Sequence, residues 1–430
     1  MNILLKNAHI IDPASGIDSV LDMLIVNGVI EKIAPKIRPA SPASEYDLNE
    51  RIAAPGFIDM HVHLREPGFE YKETVESGCR AAAAGGFTSV CCMPNTDPAI
   101  DDASVVRFIR QAAARVDGGL VDVYCVGAVT KGRAGKELSP MLELAQAGAV
   151  AFSDDGSPVE SAEMMRRALD YASMTGKPVI QHAEETALTR GGVMNEGIVS
   201  TSLGLPPMPD AAEEIMVARD IRLAECARAQ YHVAHISTAG SVDLVRSAKR
   251  KGLAVSCEVT PHHFCLTEDA VRSYDTNTKM NPPLRTREDV EAILEALRDG
   301  TIDVIATDHA PHSFDEKQVE YVYAPFGIVG LETAVGLAIT RLVDRKIVSL
   351  AELIEKLSVN PRRILHLPPV RVAEGERASL TVLDPALEWV VDAASFKSKS
   401  KNSPFDKWKL KGKPLGILNN SVASLSGLMS

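Results

Sequence analysis

The sequence predicts an α/β fold, a (β/α)8 barrel of the TIM type with a small β-sandwich domain built from both chain ends. Short apolar runs alternate with stretches of helical periodicity through the middle of the chain, which is typical of parallel strands, and there are eight such runs. Strand-like runs separated by turn residues occur at both ends. A single barrel uses about 250 residues, so a chain of 430 residues has room for a second domain.

The apolar runs are the predicted barrel strands, and they occupy residues 57–63, 86–92, 121–128, 149–153, 178–182, 231–236, 253–259 and 302–307. Helical spacing lies between most of them, at 72–84, 103–115, 162–174, 212–227 and 287–297. An open doubly wound sheet is the competing fold. It would more often carry a glycine-rich nucleotide loop after its first strand, and no G-x-G-x-x-G motif occurs there.

The two chain ends predict the small β domain. Asn27-Gly28 stands between two short apolar runs and is a strong hairpin signal. Strand-like runs return at 378–383 and 388–391. We therefore expect residues 1–52 and 367–430 to form the two parts of the small domain and residues 53–366 to form the barrel. The lysine-rich stretch 395–413 predicts a solvated loop.

Composition excludes several classes of protein. The formal net charge of -11 argues against nucleic-acid binding, which needs a basic face. No apolar run is long enough for a membrane span, and the N-terminus lacks the apolar core of a signal peptide. The seven cysteines form no C-x-x-C pair, so a thiolate zinc cage is not expected. Their scattered positions predict buried free thiols in a reducing cytoplasm.

Potential metal ligands stand at the ends of five predicted strands. Carboxyl ends of barrel strands converge on one mouth, where active sites lie. The residues are His61 and His63, which share one face of their strand, Asp154 and Asp155, His182, His235, and Asp308. Imidazole and carboxylate ligands suit Zn²⁺, and the set is too large for one tetrahedral ion. It predicts a two-metal site with a bridging carboxylate, which supplies hydroxide at neutral pH and polarises a carbonyl.

The remaining histidines have simpler interpretations. A lone histidine on a strand is usually a packing residue or a hydrogen-bond partner, and we assign His9, His232 and His366 to that class. His262 and His263 follow the seventh predicted strand, and a role in the site stays open for them. Packing does not readily explain why His61 and His63 share one face.

Seven segments together resemble a known family. They are 55–68 (PGFIDMHVHLREPG), 93–96 (MPNT), 152–156 (FSDDG), 233–238 (VAHIST), 280–285 (MNPPLR), 306–312 (ATDHAPH) and 325–332 (PFGIVGLE). The first resembles the signature of the cyclic amidohydrolases, and the full set resembles the bacterial class I dihydroorotases. The resemblance extends from about residue 50 to residue 366.

The resemblance implies a pair of zinc ions. His61, His63 and Asp308 would hold one ion, His182 and His235 the other, and Asp155 would bridge both. Asp154 is the adjacent alternative for the bridge. Many relatives bridge with a carbamylated lysine on strand four, but residues 149–153 contain no lysine, so the aspartate version fits better.

The resemblance also implies the reaction. A metal-bridging hydroxide would attack the ring amide of dihydroorotate and give N-carbamoyl-L-aspartate, and the reverse ring closure would serve pyrimidine (UMP) synthesis. Asp308 would act as general base and then general acid. The substrate carboxylate needs cationic and polar donors, which Arg65, Asn95 and His312 offer. His63, Asn281 and the Phe326-Gly327 backbone would complete the substrate contacts.

Further expectations concern the mouth of the barrel, the C-terminal part, alternative functions and partners. The polar stretch 313–323 predicts a mobile lid over the mouth. Residues 417–424 lack the strand–Asn-Gly–strand hairpin that usually closes the small domain in the family.

Two alternative functions stay open: another cyclic amidohydrolase, such as an allantoinase or hydantoinase, and a dihydroorotase-like scaffold subunit of aspartate transcarbamoylase. A homodimer and a complex with aspartate transcarbamoylase are the partners that we consider.

Overall fold

The computed structural model describes residues 2–425 and residue 428. The strands are β1 (Asn2–Asp12), β2 (Ile17–Val26), β3 (Val29–Ala34), β4 (Ser44–Asp47), β5 (Ile52–Pro55), β6 (Phe57–Val62), β7 (Phe87–Cys92), β8 (Asp122–Gly127), β9 (Ala149–Phe152), β10 (Val179–Gln181), β11 (Met194–Asn195), β12 (Pro207–Met208), β13 (Tyr231–Val233), β14 (Val255–Val259), β15 (Val304–Ile305), β16 (Leu380–Val390), β17 (Lys409–Asn419) and β18 (Val422–Ser424).

The α-helices are α1 (Val75–Ala84), α2 (Ala103–Arg115), α3 (Met141–Ala147), α4 (Ala162–Thr175), α5 (Thr186–Thr189), α6 (Ile198–Leu203), α7 (Ala211–Ala227), α8 (Ala239–Arg250), α9 (Pro261–Cys265), α10 (Arg287–Arg298), α11 (Phe314–Lys317), α12 (Ala334–Ala338), α13 (Leu350–Ile354) and α14 (Asn360–Ile364). Several short 3-10 helices lie in the connections between elements. Helices α12 and α13 continue into single π-helical turns over Ile339–Val343 and Glu355–Val359.

The larger unit is a parallel barrel made of β6 to β10 and β13 to β15, one strand for each predicted apolar run. Neighbouring strands pair in chain order. The barrel closes between its first and last strands, where the backbone N–H of His63 donates to the carbonyl oxygen of His309 at 2.8 Å. Because both faces of these strands are covered, their residues are almost all buried, which explains why they appear as continuous apolar runs. The predicted barrel is confirmed.

The five predicted helices correspond to α1, α2, α4, α7 and α10. Their largest difference in bounds is at α1, which begins at Val75 rather than at residue 72. Thr74 caps this helix, since its side chain accepts from the backbone N–H of Ser77 and the Ser77 side chain accepts from the N–H of Thr74. The apolar faces of the helices pack around the barrel and form the main hydrophobic core.

The smaller unit is a single eight-stranded sheet to which both chain ends contribute. Its strand order is β18-β17-β16-β5-β1-β2-β3, with β4 pairing beside β1. The two outer hairpins of this sheet meet, because the Ser421 hydroxyl lies 3.3 Å from the carbonyl oxygen of Asn27. The sheet therefore curls, and apolar residues near both of these hairpins pack in one cluster, which includes Ile25, Ile30 and Leu418. The predicted fold class is thus confirmed, while the domain boundaries at 52/53 and 366/367 stay a prediction.

Two expectations about the C-terminal part are wrong. Residues 417–424 do form a hairpin, in which β17 and β18 flank Asn420 and Ser421. Both turn residues are left-handed, with φ of 50° and 62°, as a tight two-residue hairpin turn requires. Asn-Ser therefore replaces the familiar Asn-Gly, and asparagine tolerates this conformation better than most residues.

The stretch 395–413 is also not a solvated loop. Most of its lysines are exposed. However, Ser398, Ser400, Asn402 and Phe405 are buried, and β17 begins at Lys409. Asn402 donates to the carbonyl oxygens of Ala310 and Gly327, both at 3.1 Å. The segment therefore packs directly behind the mouth of the barrel.

Among the described residues, no helix combines the length and apolarity that crossing a bilayer requires.

The seven cysteines are free thiols. Five are buried as expected, Cys265 is half-buried, and Cys226 is an exception because it is exposed.

Candidate active site

The predicted ligands meet at the carboxyl end of the barrel. His61 lies within β6, His63 directly follows it, and His182 directly follows β10. Asp155, His235 and Asp308 stand two or three residues beyond β9, β13 and β15. Three residues at this mouth have a left-handed backbone conformation, with φ of 62° at Arg65, 31° at His235 and 49° at Asp308. Such strained non-glycine positions tend to occur at functional sites.

Asp155 lies between two pairs of histidines. Its Oδ2 is 3.3 Å from Nε2 of His61 and 3.5 Å from Nε2 of His63. Its Oδ1 is 3.5 Å from Nε2 of His235 and 3.8 Å from Nδ1 of His182. Each carboxylate oxygen thus faces one histidine pair, which is the arrangement that a bridging carboxylate needs.

Asp154 points away from this centre. Its two oxygens accept hydrogen bonds from the backbone N–H and the hydroxyl of Thr130. The structure therefore brings Asp155, and not its neighbour, into the histidine cluster.

Asp308 joins the first histidine pair. Its Oδ1 lies 2.9 Å from Nε2 of His63 and 3.5 Å from Nε2 of His61. Burial acts to raise the pKa of Asp308, but the neighbouring His61 and His63 imidazoles hold that pKa well below its usual range. The Asp308 side chain is therefore a carboxylate that faces the cavity.

Three of the four histidines have hydrogen-bond partners on the side away from the cluster. Nδ1 of His61 lies 2.5 Å from Oε1 of Glu258, and Nδ1 of His63 lies 2.7 Å from Oδ1 of Asn95. Nε2 of His182 lies 3.0 Å from Oε2 of Glu184. These oxygens can only accept, so the opposite nitrogen of each neutral ring presents a lone pair to the cluster.

The donor set fits divalent cations. His61 Nε2 and Asp155 Oδ1 are buried and make no hydrogen bond to any described residue. Two groups of side chains each have their ligand atoms within 4.8 Å of one another, namely His61 with His63 and Asp308, and His61 with Asp155 and His235. Nδ1 of His182 and Nε2 of His235 also face each other at 2.9 Å. Unpartnered buried donors with imidazole and carboxylate chemistry suit transition-metal ions such as Zn²⁺.

A cavity of about 310 Å³ opens onto this centre. Its walls include every residue predicted to contact substrate and all the predicted ligands except His61, which lies deeper and has no exposed surface. The predicted substrate contacts in the wall are His63, Arg65, Asn95, Asn281, His312, Phe326 and Gly327.

The polar groups of the wall are held by specific contacts. Arg65 Nε donates to the carbonyl oxygen of Pro311 at 3.1 Å. His312 Nε2 lies 2.7 Å from the carbonyl oxygen of Phe326, to which it donates. Burial and the positive charge of Arg65 lower the pKa of His312, so this ring is neutral. Asn95 uses its oxygen on His63, which leaves its Nδ2 donor for a ligand.

Residue spacing did not identify two carboxylates of this site. Glu258 lies in β14 and has no exposed surface. Burial acts to raise the pKa of Glu258, but the adjacent imidazoles of His61 and His232 lower it to about 2. Glu184 follows His182 by two residues and is the second missed carboxylate. A charged residue inside an apolar strand, and an acid two residues from a ligand, are the signals that could have identified them.

Four of the other histidines divide into two groups. His232 is more than a packing residue, because its Nε2 lies 3.3 Å from Oε2 of Glu258, which binds His61. His263 donates through Nε2 to the carbonyl oxygen of Pro282, next to Asn281. His9 and His366 make polar contacts with Asp18 and Gln230, far from the cavity.

The predicted lid segment has defined contacts. Lys317 donates to the carbonyl oxygens of Thr276 and Pro325 at 3.2 and 2.7 Å. The side chains of Phe314 and Tyr323 are largely exposed. Motion of this segment stays a prediction.

Known proteins resemble this chain over nearly its whole length. A family profile described as "Dihydro-orotase-like" matches residues 50–241. A dihydroorotase from Geobacter metallireducens is 52% identical over 412 residues, which cover 96% of this chain and 96% of that protein. A dihydroorotase from Syntrophus aciditrophicus is 50% identical, with 97% of this chain and 98% of that protein covered.

Solved structures share the fold. An L-hydantoinase (dihydropyrimidinase) from Arthrobacter aurescens superposes with a TM-score of 0.87 at 23% identity, covering 98% of this chain and 95% of that one. A D-hydantoinase (dihydropyrimidinase) from Thermus sp. gives a TM-score of 0.83 at 23% identity, covering 99% and 96%. At this identity the likeness shows the fold alone. The curated relatives show more, because they are 50 to 52% identical over nearly the whole chain. The chain belongs to the dihydroorotase family.

Proposed function

We propose that this protein is a dihydroorotase that interconverts dihydroorotate and N-carbamoyl-L-aspartate in pyrimidine synthesis. Relatives of that name share about half of all residues over nearly the whole chain, with 52% identity in one case. The observation that carries the proposal is the position of Asp155 between the two histidine pairs. It supports a cyclic amide hydrolase with two cations at the carboxyl end of its barrel.

The chain offers ligands for two zinc ions. We assign His61, His63 and Asp308 to one ion, His182 and His235 to the other, and Asp155 to both. When bound, such ions polarise the amide carbonyl and make hydroxide available at neutral pH. The hydrogen bonds that His61, His63 and His182 donate to Glu258, Asn95 and Glu184 support this assignment, because they leave the ligating nitrogens unprotonated.

Asp308 is the proposed proton carrier. Hydrolysis adds water to the ring carbonyl, breaks the carbon–nitrogen bond and places a proton on the leaving nitrogen. A carboxylate at the cavity wall can take the proton from the attacking water and deliver it to that nitrogen. In ring closure the same group acts in the reverse order.

Substrate orientation is assigned to the other wall residues. Arg65 and the Nδ2 donor of Asn95 would hold the substrate carboxylate. His312 could join them only by releasing the carbonyl oxygen of Phe326, to which it now donates. His63, Asn281 and the Phe326-Gly327 backbone would contact the ring.

The alternative functions have less support. The hydantoinases share the fold at 23% identity, whereas the proteins at 50% identity and above are dihydroorotases. An allantoinase would not need the hydrogen-bond donors of the cavity wall that we assign to the substrate carboxylate. A pure scaffold would need none of the six ligand positions, yet all six are filled and clustered.

We also propose a cytoplasmic location, because free thiols suit a reducing compartment. The assembly that we propose is either a homodimer or a complex with aspartate transcarbamoylase. Mass measurement of the purified chain, alone and mixed with that enzyme, distinguishes the two.

One experiment tests the main proposal. The purified chain is loaded with zinc, and both dihydroorotate hydrolysis and N-carbamoyl-L-aspartate cyclisation are measured, with allantoin and hydantoin as comparison substrates and zinc content determined on the same sample. We expect turnover of dihydroorotate with about two zinc ions per chain. Preference for allantoin or hydantoin would contradict the substrate assignment. Inactivity with zinc bound, persisting after addition of aspartate transcarbamoylase, would contradict the activity itself.

A further inference from the structure

Glu184 joins two parts of the site that have separate tasks. Its Oε2 lies 3.0 Å from Nε2 of His182, a proposed zinc ligand, and 2.8 Å from Nδ2 of Asn281, a proposed substrate contact. Its other oxygen accepts from the hydroxyl of Thr189. A single carboxylate oxygen therefore receives hydrogen bonds from both the imidazole and the amide.

The bond to His182 determines which ring nitrogen can bind a cation. A carboxylate accepts hydrogen bonds only, so the single proton of a neutral imidazole must stand on Nε2. Nδ1 then has a free lone pair, and it is this atom that faces Nε2 of His235 at 2.9 Å and Oδ1 of Asp155 at 3.8 Å. Without Glu184 the ring could place its proton on Nδ1 and lose its ability to ligate.

The bond to Asn281 determines the orientation of its amide. Because Nδ2 points to Glu184, Oδ1 of Asn281 is directed elsewhere, and Asn281 lines the substrate cavity. Glu184 itself lines the neighbouring depression, together with Lys279 and Phe326. It forms part of the wall behind the cavity and does not project into it.

His61 provides an internal contrast. The partner of His61 on the side away from the cluster, Glu258, is also a carboxylate, but it has no exposed surface, and its other oxygen lies 3.3 Å from Nε2 of His232 and not beside a cavity residue. The Glu184 side chain is 15% exposed and contacts a cavity residue. Among the described residues, the carboxylate behind His182 thus bonds to a proposed substrate contact, whereas the carboxylate behind His61 does not.

We propose that Glu184 is a positioning residue that couples substrate binding at Asn281 to cation binding at His182. A cation on Nδ1 strengthens the Nε2–H bond to Glu184, which in turn restrains the carboxylate that orients Asn281. A ligand that restrains Asn281 also restrains the Glu184 carboxylate and thereby strengthens its hydrogen bond with His182. Coupling of this kind is reciprocal, so substrate or product should tighten the second cation and the cation should tighten substrate. The inference rests on the proposed function only for the identity of the small molecule.

The test measures cation affinity directly. Zn²⁺ is titrated into the metal-free protein against a chelator, with and without N-carbamoyl-L-aspartate, for the wild type and for Glu184→Ala, Glu184→Gln and Glu258→Gln. In the wild type we expect the small molecule to raise the affinity for the second Zn²⁺ about 5-fold or more. In Glu184→Ala that affinity should fall about 10- to 100-fold, and the effect of the small molecule should disappear.

The other variants separate positioning from folding. Glu184→Gln keeps an accepting oxygen and should recover part of both effects, so it serves if Glu184→Ala does not fold. Glu258→Gln should weaken the first Zn²⁺ but keep the wild-type response to N-carbamoyl-L-aspartate. Kinetics of the zinc-loaded variants should show a raised KM in Glu184→Gln, because Asn281 is less well oriented.

Two outcomes would overturn the coupling. One is an identical response to N-carbamoyl-L-aspartate in the wild type and Glu184→Ala, and the other is no response in the wild type although the small molecule binds. Failure of the proposed function would look different. In that case the wild type would not bind N-carbamoyl-L-aspartate or turn over dihydroorotate, while the loss of Zn²⁺ affinity in Glu184→Ala would still be observed.

Discussion

Glu258 Oε1 lies 2.5 Å from Nδ1 of His61, and neither side chain has any exposed surface. The pair sits beneath the mouth of the barrel, on β14 and β6. It directs Nε2 of His61 toward Asp155 and Asp308. This buried carboxylate thus orients His61, which we propose as a ligand of the first cation.

Replacing Glu258 with glutamine should weaken that position. The amide is uncharged, a poorer acceptor and able to turn its NH2 group toward the ring, so the tautomer of His61 is less firmly fixed and the ring loses part of its basicity. We expect the affinity for the first Zn²⁺ to fall about 10- to 100-fold, measured by titration against a chelator. Glu163→Gln, which alters a 73% exposed surface carboxylate, is the matched control. Equal affinity in both variants would contradict the role of Glu258.

Asp308→Asn should separate metal binding from proton transfer. Asparagine keeps an oxygen near His63 but cannot take up a proton, so zinc should stay largely bound while turnover falls about 100- to 10,000-fold. Zinc per chain and the rate of dihydroorotate hydrolysis are measured on one sample. Normal turnover would exclude Asp308 as the proton carrier.

Asn402→Ala should loosen the cavity wall. The Asn402 side chain donates to the carbonyl oxygens of Ala310 and Gly327 and accepts from the backbone N–H of His312. Removing it leaves buried backbone groups unpaired, and we expect the free energy of unfolding to fall by about 2 to 3 kcal/mol, with a raised KM. Denaturant unfolding and steady-state kinetics measure the two effects.

Lys397→Ala in the same segment is the control for Asn402→Ala. Its side chain is exposed, and we expect its effect on stability to stay within about 0.5 kcal/mol. Equal effects of the two substitutions would contradict a specific role for Asn402.

Glu332→Gln should change how stability depends on pH. Burial raises the pKa of Glu332 to about 7, although its Oε1 accepts from the backbone N–H groups of Lys397 and Ser398. The ordinary pKa is 4.5, so between pH 4.5 and 7 the unfolded chain has released a proton that the folded chain still holds. Stability of the wild type therefore falls as pH rises through this window. Glutamine keeps the accepting oxygen without titrating.

The melting temperatures of the two proteins should differ little at pH 4.5 and diverge in favour of Glu332→Gln up to pH 7, staying apart above it. Glu352→Gln is a control of opposite sign. Bonds from the backbone and hydroxyl of Ser349 lower the pKa of Glu352, so its replacement should reduce stability at pH 8. A Glu332→Gln protein that melts below the wild type at pH 8 would show that the charged carboxylate is favoured there.

Local periodicity accounts for what the sequence predicts well. Alternating apolar and helical segments identify the barrel strands, and strand ends then bring His61, His182 and Asp308 to one mouth. Glu258 was missed because it is a single charge in an apolar run and its partner His61 is 197 residues away. Spacing carries no information about contacts over that separation.

The stretch 395–413 was misread for a related reason. Its lysines predict solvent exposure, whereas Ser398 and Asn402 between them bind Glu73 and the backbone behind the cavity. The C-terminal hairpin was missed because Asn-Ser is a weaker turn signal than Asn-Gly. In the first case partners distant in sequence outweigh the local pattern, and in the second the local turn signal is itself weak.

The pairing of β5 with β16 has a consequence for how the protein is made. Leu380 pairs with Pro55, and the N–H of Phe57 donates to the hydroxyl of Thr381, 324 residues further along the chain. At roughly 5 to 20 residues per second, a ribosome needs roughly 16 to 65 seconds to synthesise that partner. During this interval the edge of β5 has no neighbour on that side and can pair with other nascent chains. Synthesis of this protein therefore has a period of vulnerability to aggregation that ends only when the last strands emerge.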